Sequence, residues 1–149
     1  MIITDETILR TQSIPVLPEE VDELRKKLEE ELRLSVEGGS SGIGLAAIQI
    51  GIPKQMAIIR IPTTDGNIIS LDIVNAKIAG QYDPVVSKEE GCLSIPDTKL
   101  NVQRYNEVYV VDNMVEPHQF IATGLISIAL QHEIDHIFGI LIKDREIKK

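Results

Sequence analysis

Two histidines and an acidic residue lie close together near the end of the chain, in QHEIDH, residues 131 to 136. His132 and His136 are four residues apart, so in a helix they share a face, with Cβ atoms roughly 5–6 Å apart. Two imidazoles in that arrangement can hold one metal ion at about 2.0–2.1 Å. Glu133, rotated by about a third of a turn, could act as general base on an attacking water. The H-E-x-x-H pattern also occurs by chance in helices whose histidines are only packed or exposed.

A catalytic metal usually takes three protein ligands, so the pattern needs a third donor. No histidine follows His136, although Asp144 and Glu146 do. The strongest candidate is Cys92, the single cysteine of the chain, in EEGCLSIP, residues 89 to 96. A lone cysteine is more often a small buried residue. With two imidazoles, however, its thiolate would form a soft, tight site for a first-row metal.

A third stretch, GIGLAAIQ, residues 42 to 49, could supply a polar group to the same site. Its glycines and alanines by themselves predict a tight turn into a packed element. A lone G-x-G is weak evidence of phosphate binding, and no Lys-Ser/Thr pair follows it. Gln49 is the informative residue, because a side-chain amide at the mouth of a cleft can donate a hydrogen bond to a developing oxyanion.

Composition limits the class of protein that can carry this chemistry. The 149 residues, 43% hydrophobic and 26% charged, fit one soluble globular domain over residues 1–149. A net charge of −8 makes the chain a poor partner for nucleic acid or anionic lipid. No segment approaches the ~20 apolar residues of a membrane span. The N-terminus lacks a secretory signal pattern and one cysteine cannot form an intramolecular disulfide, so a cytoplasmic location is expected.

Helical periodicity predicts two helices that could position these residues. The first runs from Pro18 to about Leu34 with one apolar stripe, and a glycine- and serine-rich loop follows at residues 37 to 42. The second runs from about Gly124 to Phe138 and is apolar nearly all round before the histidines, which predicts burial between other layers. Gly139 then serves as its C-terminal cap.

The segments between the two helices are typical of strands. A hairpin is predicted from residues 55 to 61 and 68 to 74, which flank the turn signal TTDG. Two further strands, residues 107 to 112 and 118 to 123, flank a turn near residues 113 to 117. Strands followed by a buried helix indicate an α+β domain.

The stretches GIGLAAIQ, EGCLS and QHEIDH, in this order, resemble the three signature motifs of the peptide deformylase family. The motifs are short, but their order and spacing extend from residue 42 to residue 136. The segments TDETILRTQSIPV and CLSIPDTKLNVQR are also similar to the corresponding family stretches. The resemblance implies an α+β fold of mixed antiparallel β-sheets packed around a central C-terminal helix that bears H-E-x-x-H.

The resemblance also implies an activity, namely metal-dependent removal of the formyl group from the N-terminal formylmethionine of newly made proteins. The implied ligands of one ion per chain are Cys92, His132 and His136. Ferrous iron is the usual ion of the family, and zinc, nickel or cobalt can replace it, whereas residue chemistry alone would indicate zinc. Glu133 is implied as general base, and the Gln49 amide and the Leu93 backbone N–H as donors to the developing oxyanion.

Further positions follow from the same resemblance. The formylated peptide is expected to lie extended beside Ile43 and Gly44 as an added strand. Glu90 and Arg104 are expected to form a charged pair that orients the ligand loop. An apolar pocket for the methionine side chain is expected from residues Ile43, Leu125, Ile128 and Ala129.

The chain departs from many family members at its C-terminal end and near the substrate. Only ILIKDREIKK, residues 140 to 149, follows the H-E-x-x-H helix, whereas many bacterial members continue into a helix linked to ribosome docking. The short C-terminal segment makes a ribosome contact through such a helix doubtful. The implied partners are formylated nascent peptides. Lys99 stands where many relatives have arginine. Lysine keeps the positive charge but lacks the planar guanidinium that can form two parallel hydrogen bonds. Compact members also occur in viruses of bacteria, so a bacterial and a phage origin both stay open.

Three other hypotheses fit parts of the pattern. A zinc peptidase with the same H-E-x-x-H is disfavoured by Cys92 and by the lack of a later histidine ligand. A metal-stabilised binding protein would have no need of a base at Glu133. A plain α+β domain with incidental histidines would bind no metal, which a metal assay can test.

Overall fold

The computed structural model of the protein describes residues 1–39, 42–113 and 117–148. Short 3-10 turns within these ranges occupy Pro18–Glu20, Ala47–Ile50 and Ile142–Arg145. The helices of the described residues are α1 (Glu6–Leu9), α2 (Val21–Glu37) and α3 (Gly124–Ile137). Their strands are β1 (Gly44–Ala46), β2 (Met56–Pro62), β3 (Ile68–Val74), β4 (Lys77–Cys92), β5 (Ile95–Asn113) and β6 (Pro117–Thr123).

The strands form two antiparallel sheets. One has the order β1-β2-β3 and the other the order β4-β5-β6. The β2–β3 pairing confirms the hairpin predicted around TTDG, and the β5–β6 pairing confirms the second predicted pair. The α+β class, with antiparallel sheets and a C-terminal helix, is therefore as the sequence predicted. Residues 40 and 41 of the predicted loop and residues 114 to 116 of the predicted second turn lie outside the described ranges.

Helix α2 packs one face on the sheet that contains β2. Its buried residues are Leu24, Leu28 and Leu32, which are the members of the predicted stripe that reach the core. They contact Met56 and Ile58 in one apolar cluster. The helix thereby supports the β1–β2 layer from the side opposite α3.

The long hairpin of β4 and β5 was not predicted beyond residues 107 to 112. Residues of β4 alternate mostly between exposed and half-buried, so its sequence lacks the apolar run that identifies a buried strand. The register shifts between Ser87 and Glu90 and again between Glu90 and Cys92. Cys92 then pairs with Ile95, which leaves a connection of two residues. The cysteine motif that follows lies against α3, with Cys92 Sγ 3.4 Å from His136 Nε2.

Helix α3 lies between the two sheets. Its apolar residues share one core with Ile59 of β2 and with Val108 and Val110 of β5. The helix ends at Ile137, and Gly139 adopts φ 75°, in agreement with the predicted cap. A Cβ at Gly139 would lie 2.5 Å from the Arg10 carbonyl oxygen, so the chain passes closely there. None of the described helices is both long and apolar enough to cross a membrane.

Candidate metal centre and cleft

The structure brings three soft donor atoms to one point. Cys92, at the end of β4, and His132 and His136, one turn apart on α3, place their ligand atoms within 4.8 Å of one another. Cys92 Sγ lies 3.4 Å from His136 Nε2, which lies 3.3 Å from His132 Nε2. In a tetrahedral site, bond lengths of about 2.0–2.3 Å separate neighbouring ligand atoms by roughly 3.3–3.6 Å. The donor set therefore fits one first-row metal ion.

The hydrogen bonding of His132 favours the tautomer that a metal needs. Its Nδ1 is 2.7 Å from a Glu90 carboxylate oxygen, which can only accept, so Nδ1 donates its proton to Glu90 and Nε2 is the ring atom left to face His136 and a metal ion. Burial lowers the pKa of His132, but hydrogen bonds with Cys92 and Glu90 and the charge of Glu133 outweigh it and raise that pKa. These surroundings favour positive charge at the point where a cation would bind.

A buried guanidinium lies behind Glu90, the carboxylate that accepts from His132. The Arg104 side chain is 2% exposed, and its Nε and Nη2 donate to Glu90 at 3.1 and 2.5 Å. Its Nη1 donates to Asp135 at 2.8 Å. Burial raises the pKa of Glu90, but the bonds from His132 and Arg104 outweigh it and lower that pKa to about 2. Glu90 therefore stays ionised and can hold the Nδ1 proton of His132. The predicted contact between Glu90 and Arg104 is buried rather than exposed.

Glu133 is a buried carboxylate beside these donors. Its Oε1 has no hydrogen-bond partner among the described residues, and burial raises its pKa to about 7. Gly44 of β1 lies directly against it, since a Cβ on Gly44 would be 2.5 Å from Glu133 Oε2. A carboxylate with a pKa near neutrality can both take up and return a proton at neutral pH. The position suits a general base.

Gln49 lies in the 3-10 turn after β1 and is 1% exposed. Its Oε1 accepts the Ala46 backbone N–H at 2.9 Å, which fixes the orientation of the amide. Its Nε2 then lies 3.6 Å from Cys92 Sγ and 3.0 Å from Ser94 Oγ. The amide nitrogen therefore lies between Ser94 and Cys92 of the candidate metal centre, where an oxyanion donor would have to be.

A cleft of about 770 Å³ opens beside the three donors. Its wall includes His132, Glu133, Cys92 and Leu93. Strand β1 pairs with β2 alone among the described strands, so its other edge has no strand beside it. The residues predicted to bind substrate all line this cleft, namely Ile43, Gly44, Leu125, Ile128 and Ala129.

Two polar residues of α3 had no assigned role from sequence, and the structure shows their contacts. Gln131 accepts the Tyr105 N–H at 2.9 Å and donates to the Tyr105 carbonyl oxygen at 2.7 Å. Asp135 accepts from both Arg104 and Arg145. The signal that could have identified them is their spacing of four residues on an otherwise apolar helix, because buried polar groups need partners. Ser94 gave no signal beyond its closeness to Cys92.

The fold and the site together define a class, that of α+β domains with a candidate three-ligand metal centre beside a buried carboxylate. Comparison with known proteins identifies the family within this class. The polypeptide deformylase family model matches residues 1–149. A peptide deformylase of Prochlorococcus marinus (strain MIT 9312) is 40% identical over 131 residues, which cover 87% of this chain and 65% of that relative. The chain therefore spans less than two thirds of the length of that curated relative.

Solved structures agree in fold. A probable peptide deformylase from Synechococcus phage S-SSM7 superposes with a TM-score of 0.84 at 33% identity, covering 97% of this chain and 98% of that one. A class I type b peptide deformylase from Acinetobacter baumannii, with Met-Ala-Ser bound, gives a TM-score of 0.82 at 27% identity, covering 97% and 96%. The chain belongs to the polypeptide deformylase family, as its three motifs predicted.

Proposed function

We propose that this protein is a peptide deformylase, which removes the formyl group by hydrolysis from the N-terminal formylmethionine of newly synthesised polypeptides. One observation carries the proposal: the Cys92, His132 and His136 donors converge beside the Glu133 carboxylate at the wall of an open cleft. Family membership over the whole chain supports it. So does the related fold that binds Met-Ala-Ser, a peptide with the N-terminus that deformylation would leave.

We assign one ion per chain to Cys92, His132 and His136, and we propose iron(II), with zinc, nickel or cobalt able to replace it. When bound, the ion supplies Lewis acidity, which polarises the formyl carbonyl and lowers the pKa of the attacking water. Glu90 orients His132 through its Nδ1–H, and Arg104 keeps Glu90 ionised and in place.

The remaining chemistry belongs to side chains of the cleft. Glu133 takes a proton from the attacking water and returns it to the leaving amine, a role that suits its pKa of about 7. The Gln49 side-chain amide and the Leu93 backbone N–H donate to the formyl oxygen as it gains charge. In support, Gln49 Nε2 lies 3.6 Å from Cys92 Sγ, and Leu93 follows Cys92 directly in the chain.

The substrate is proposed to lie extended along the free edge of β1, beside Ile43 and Gly44. Its methionine side chain would then enter the apolar part of the cleft formed by Leu125, Ile128 and Ala129. We propose a single catalytic domain over residues 1–149 that meets formylated nascent peptides in the cytoplasm.

The test is release of formate from formyl-Met-Ala-Ser by protein purified without oxygen and loaded with iron or nickel. Wild type should release formate and leave Met-Ala-Ser intact, while Glu133→Ala should bind the ion and release almost none. Metal-loaded wild type that releases no formate would contradict the proposal. Cleavage of the Met–Ala bond instead would identify the protein as a peptidase.

A further inference from the structure

Gln49 is held by three hydrogen-bond partners, and its two N–H groups are not equivalent. Its Oε1 is bound to the Ala46 N–H at 2.9 Å, so both Nε2 hydrogens point away from the backbone. One faces Ser94 Oγ at 3.0 Å and the other faces Cys92 Sγ at 3.6 Å. Sulfur is a weak acceptor, so the first bond is ordinary and the second is weak.

The proposed function requires one of these N–H groups to turn to the formyl oxygen, since an amide has only two donors. The group that faces Cys92 already points toward the candidate metal centre, because Sγ lies 3.4 Å from His136 Nε2. That weak bond is also the easier one to give up, since a thiolate that ligates a cation shares its electron density with the cation. The bond to Ser94 is therefore the one that stays.

The side-chain amide torsion of glutamine is broad and does not fix the plane of the group by itself. Ser94 is 2% exposed, so water has little access to its hydroxyl and does not compete with Gln49 for it. Together, the Ala46 N–H and the Ser94 hydroxyl hold the amide at two points, and the remaining N–H is aimed at the site.

Ser94 belongs to the same turn as Cys92 and Leu93. Cys92 pairs with Ile95, so Leu93 and Ser94 form the whole connection between β4 and β5. The metal ligand, the Leu93 N–H and the Ser94 hydroxyl are thus consecutive in one tight turn. Their relative positions are fixed together, and the hydroxyl keeps its place relative to Cys92.

We propose that Ser94 is a positioning residue, whose hydroxyl binds one Gln49 N–H so that the other, which faces Cys92, is free to donate to the oxyanion. The inference rests on the proposed deformylase function. A purely structural Ser94 would only satisfy a buried amide hydrogen, and its loss would change stability and nothing else. The two readings differ in whether the effect of Ser94 depends on Gln49.

The first arm of the test is a double-mutant cycle on formyl-Met-Ala-Ser. Ser94→Ala should lower kcat by about tenfold with little change in KM, which is less than the roughly 10²–10³ expected for Gln49→Ala. In the Gln49→Ala background, Ser94→Ala should have no further effect on kcat. Ser94→Thr, which keeps the hydroxyl, should restore most of the rate. An equal loss from Ser94→Ala in both backgrounds would overturn the proposal.

The second arm needs no turnover. In the NMR spectrum of the zinc-loaded protein, the Gln49 side-chain amide protons should exchange slowly with solvent in wild type and in Ser94→Thr, and at least tenfold faster in Ser94→Ala. Equal protection in wild type and Ser94→Ala would overturn the proposal. If wild type releases no formate, the proposed function fails, and this arm still decides whether Ser94 holds the amide.

Ser127→Ala is the matched control for both arms. Ser127 is a buried serine whose hydroxyl donates to the Tyr105 carbonyl oxygen at 2.8 Å, and it has no contact with Gln49 among those described above. The variant should lower the melting temperature while leaving protection of the Gln49 amide unchanged. If Ser127→Ala lost that protection to the same degree as Ser94→Ala, the effect would be general loosening, and the proposal would be wrong.

Discussion

Helix α3 carries two polar stripes with opposite properties. The holding stripe consists of Ser127, Gln131 and Asp135, which recur every four residues and bond to Arg104 and Tyr105 of β5. The reacting stripe consists of His132 and His136, with Glu133 beside it. Every described side-chain N or O atom of the holding stripe has a partner, whereas Glu133 Oε1 and His136 Nδ1 have none among the described residues.

The difference shows how one helix can serve both stability and chemistry. A buried polar atom without a partner destabilises the fold by about 1–3 kcal/mol. In the proposed function Glu133 Oε1 must stay available to take up a proton, whereas the ligand atom of His136 is Nε2 and its unpartnered Nδ1 has no assigned role. The holding stripe fixes the helix to β5, so the reacting side chains keep their positions. Substitutions on the reacting stripe should therefore affect rate, and substitutions on the holding stripe should affect stability.

The largest effect is expected at Glu133. Glu133→Gln should lower formate release by about 10²–10⁴, since the general base is lost. Its folded pKa is raised from 4.5 to about 7, so ionisation destabilises the metal-free wild type as pH rises through that window. The metal-free variant should therefore unfold at a higher temperature than wild type at pH 8 and at a similar temperature below pH 4.5. A less stable variant at pH 8 would contradict the contrast between the stripes.

The next largest effect is expected behind the holding stripe. Arg104→Met leaves Glu90 and Asp135 buried without their guanidinium, which should lower the free energy of unfolding by about 3–5 kcal/mol. Urea unfolding of the metal-free protein measures this loss of unfolding free energy. Arg33→Met removes the exposed pairs of Arg33 with Glu30 and Glu37 and is the matched control, with little change expected. Equal losses in the two variants would show that burial of the Arg104 pairs does not matter.

A smaller effect on rate is expected where β1 meets the reacting stripe. Gly44→Ala puts a Cβ 2.5 Å from Glu133 Oε2 and 3.1 Å from the Ile58 carbonyl oxygen, so the carboxylate must move. A displacement of about 1 Å can cost roughly 10²-fold in rate, and we expect a loss of that order in kcat. Gly38→Ala, whose Cβ would meet no atom closer than 3.4 Å, should leave kcat unchanged. Full activity in Gly44→Ala would mean that Glu133 does not need its present position.

The smallest effect is expected at the solvent end of the holding stripe. Arg145 pairs with Asp135 at 3.1 Å, but its side chain is 45% exposed, and Asp135 keeps its bond to Arg104 without it. Arg145→Met should therefore change the unfolding free energy by no more than about 1 kcal/mol and leave formate release unchanged. A loss as large as that of Arg104→Met would show that the outer pair, rather than the buried one, holds the helix.

The sequence predicted the reacting stripe and missed the holding stripe for one physical reason. Helical spacing places His132 and His136 on one face without knowledge of any other element. The partners of Gln131 and Asp135 lie on β5, and residues 95 to 106 were not predicted as strand because the positions that turn inward include polar residues, Thr98 and Arg104, rather than an apolar series. Without that strand, Arg104 and Tyr105 could not be placed against α3.

Some parts of the site could be predicted from the order and spacing of the motifs, and others could not. The three motifs were expected to meet, and the structure brings Gln49, Cys92 and His132 together. The register shifts between Ser87 and Cys92, which come just before the cysteine turn, have no signature in the residues. The roles assigned to these residues stay predictions until the variants are measured.

The contact between Gly44 and Glu133 has a consequence for resistance to inhibitors. A compound that rests on the Cα of Gly44 would touch a position where any side chain collides with the base. A substitution there that displaces the compound would also move the Glu133 carboxylate, which the proposed hydrolysis requires, so resistance gained at Gly44 should come with a loss of formate release.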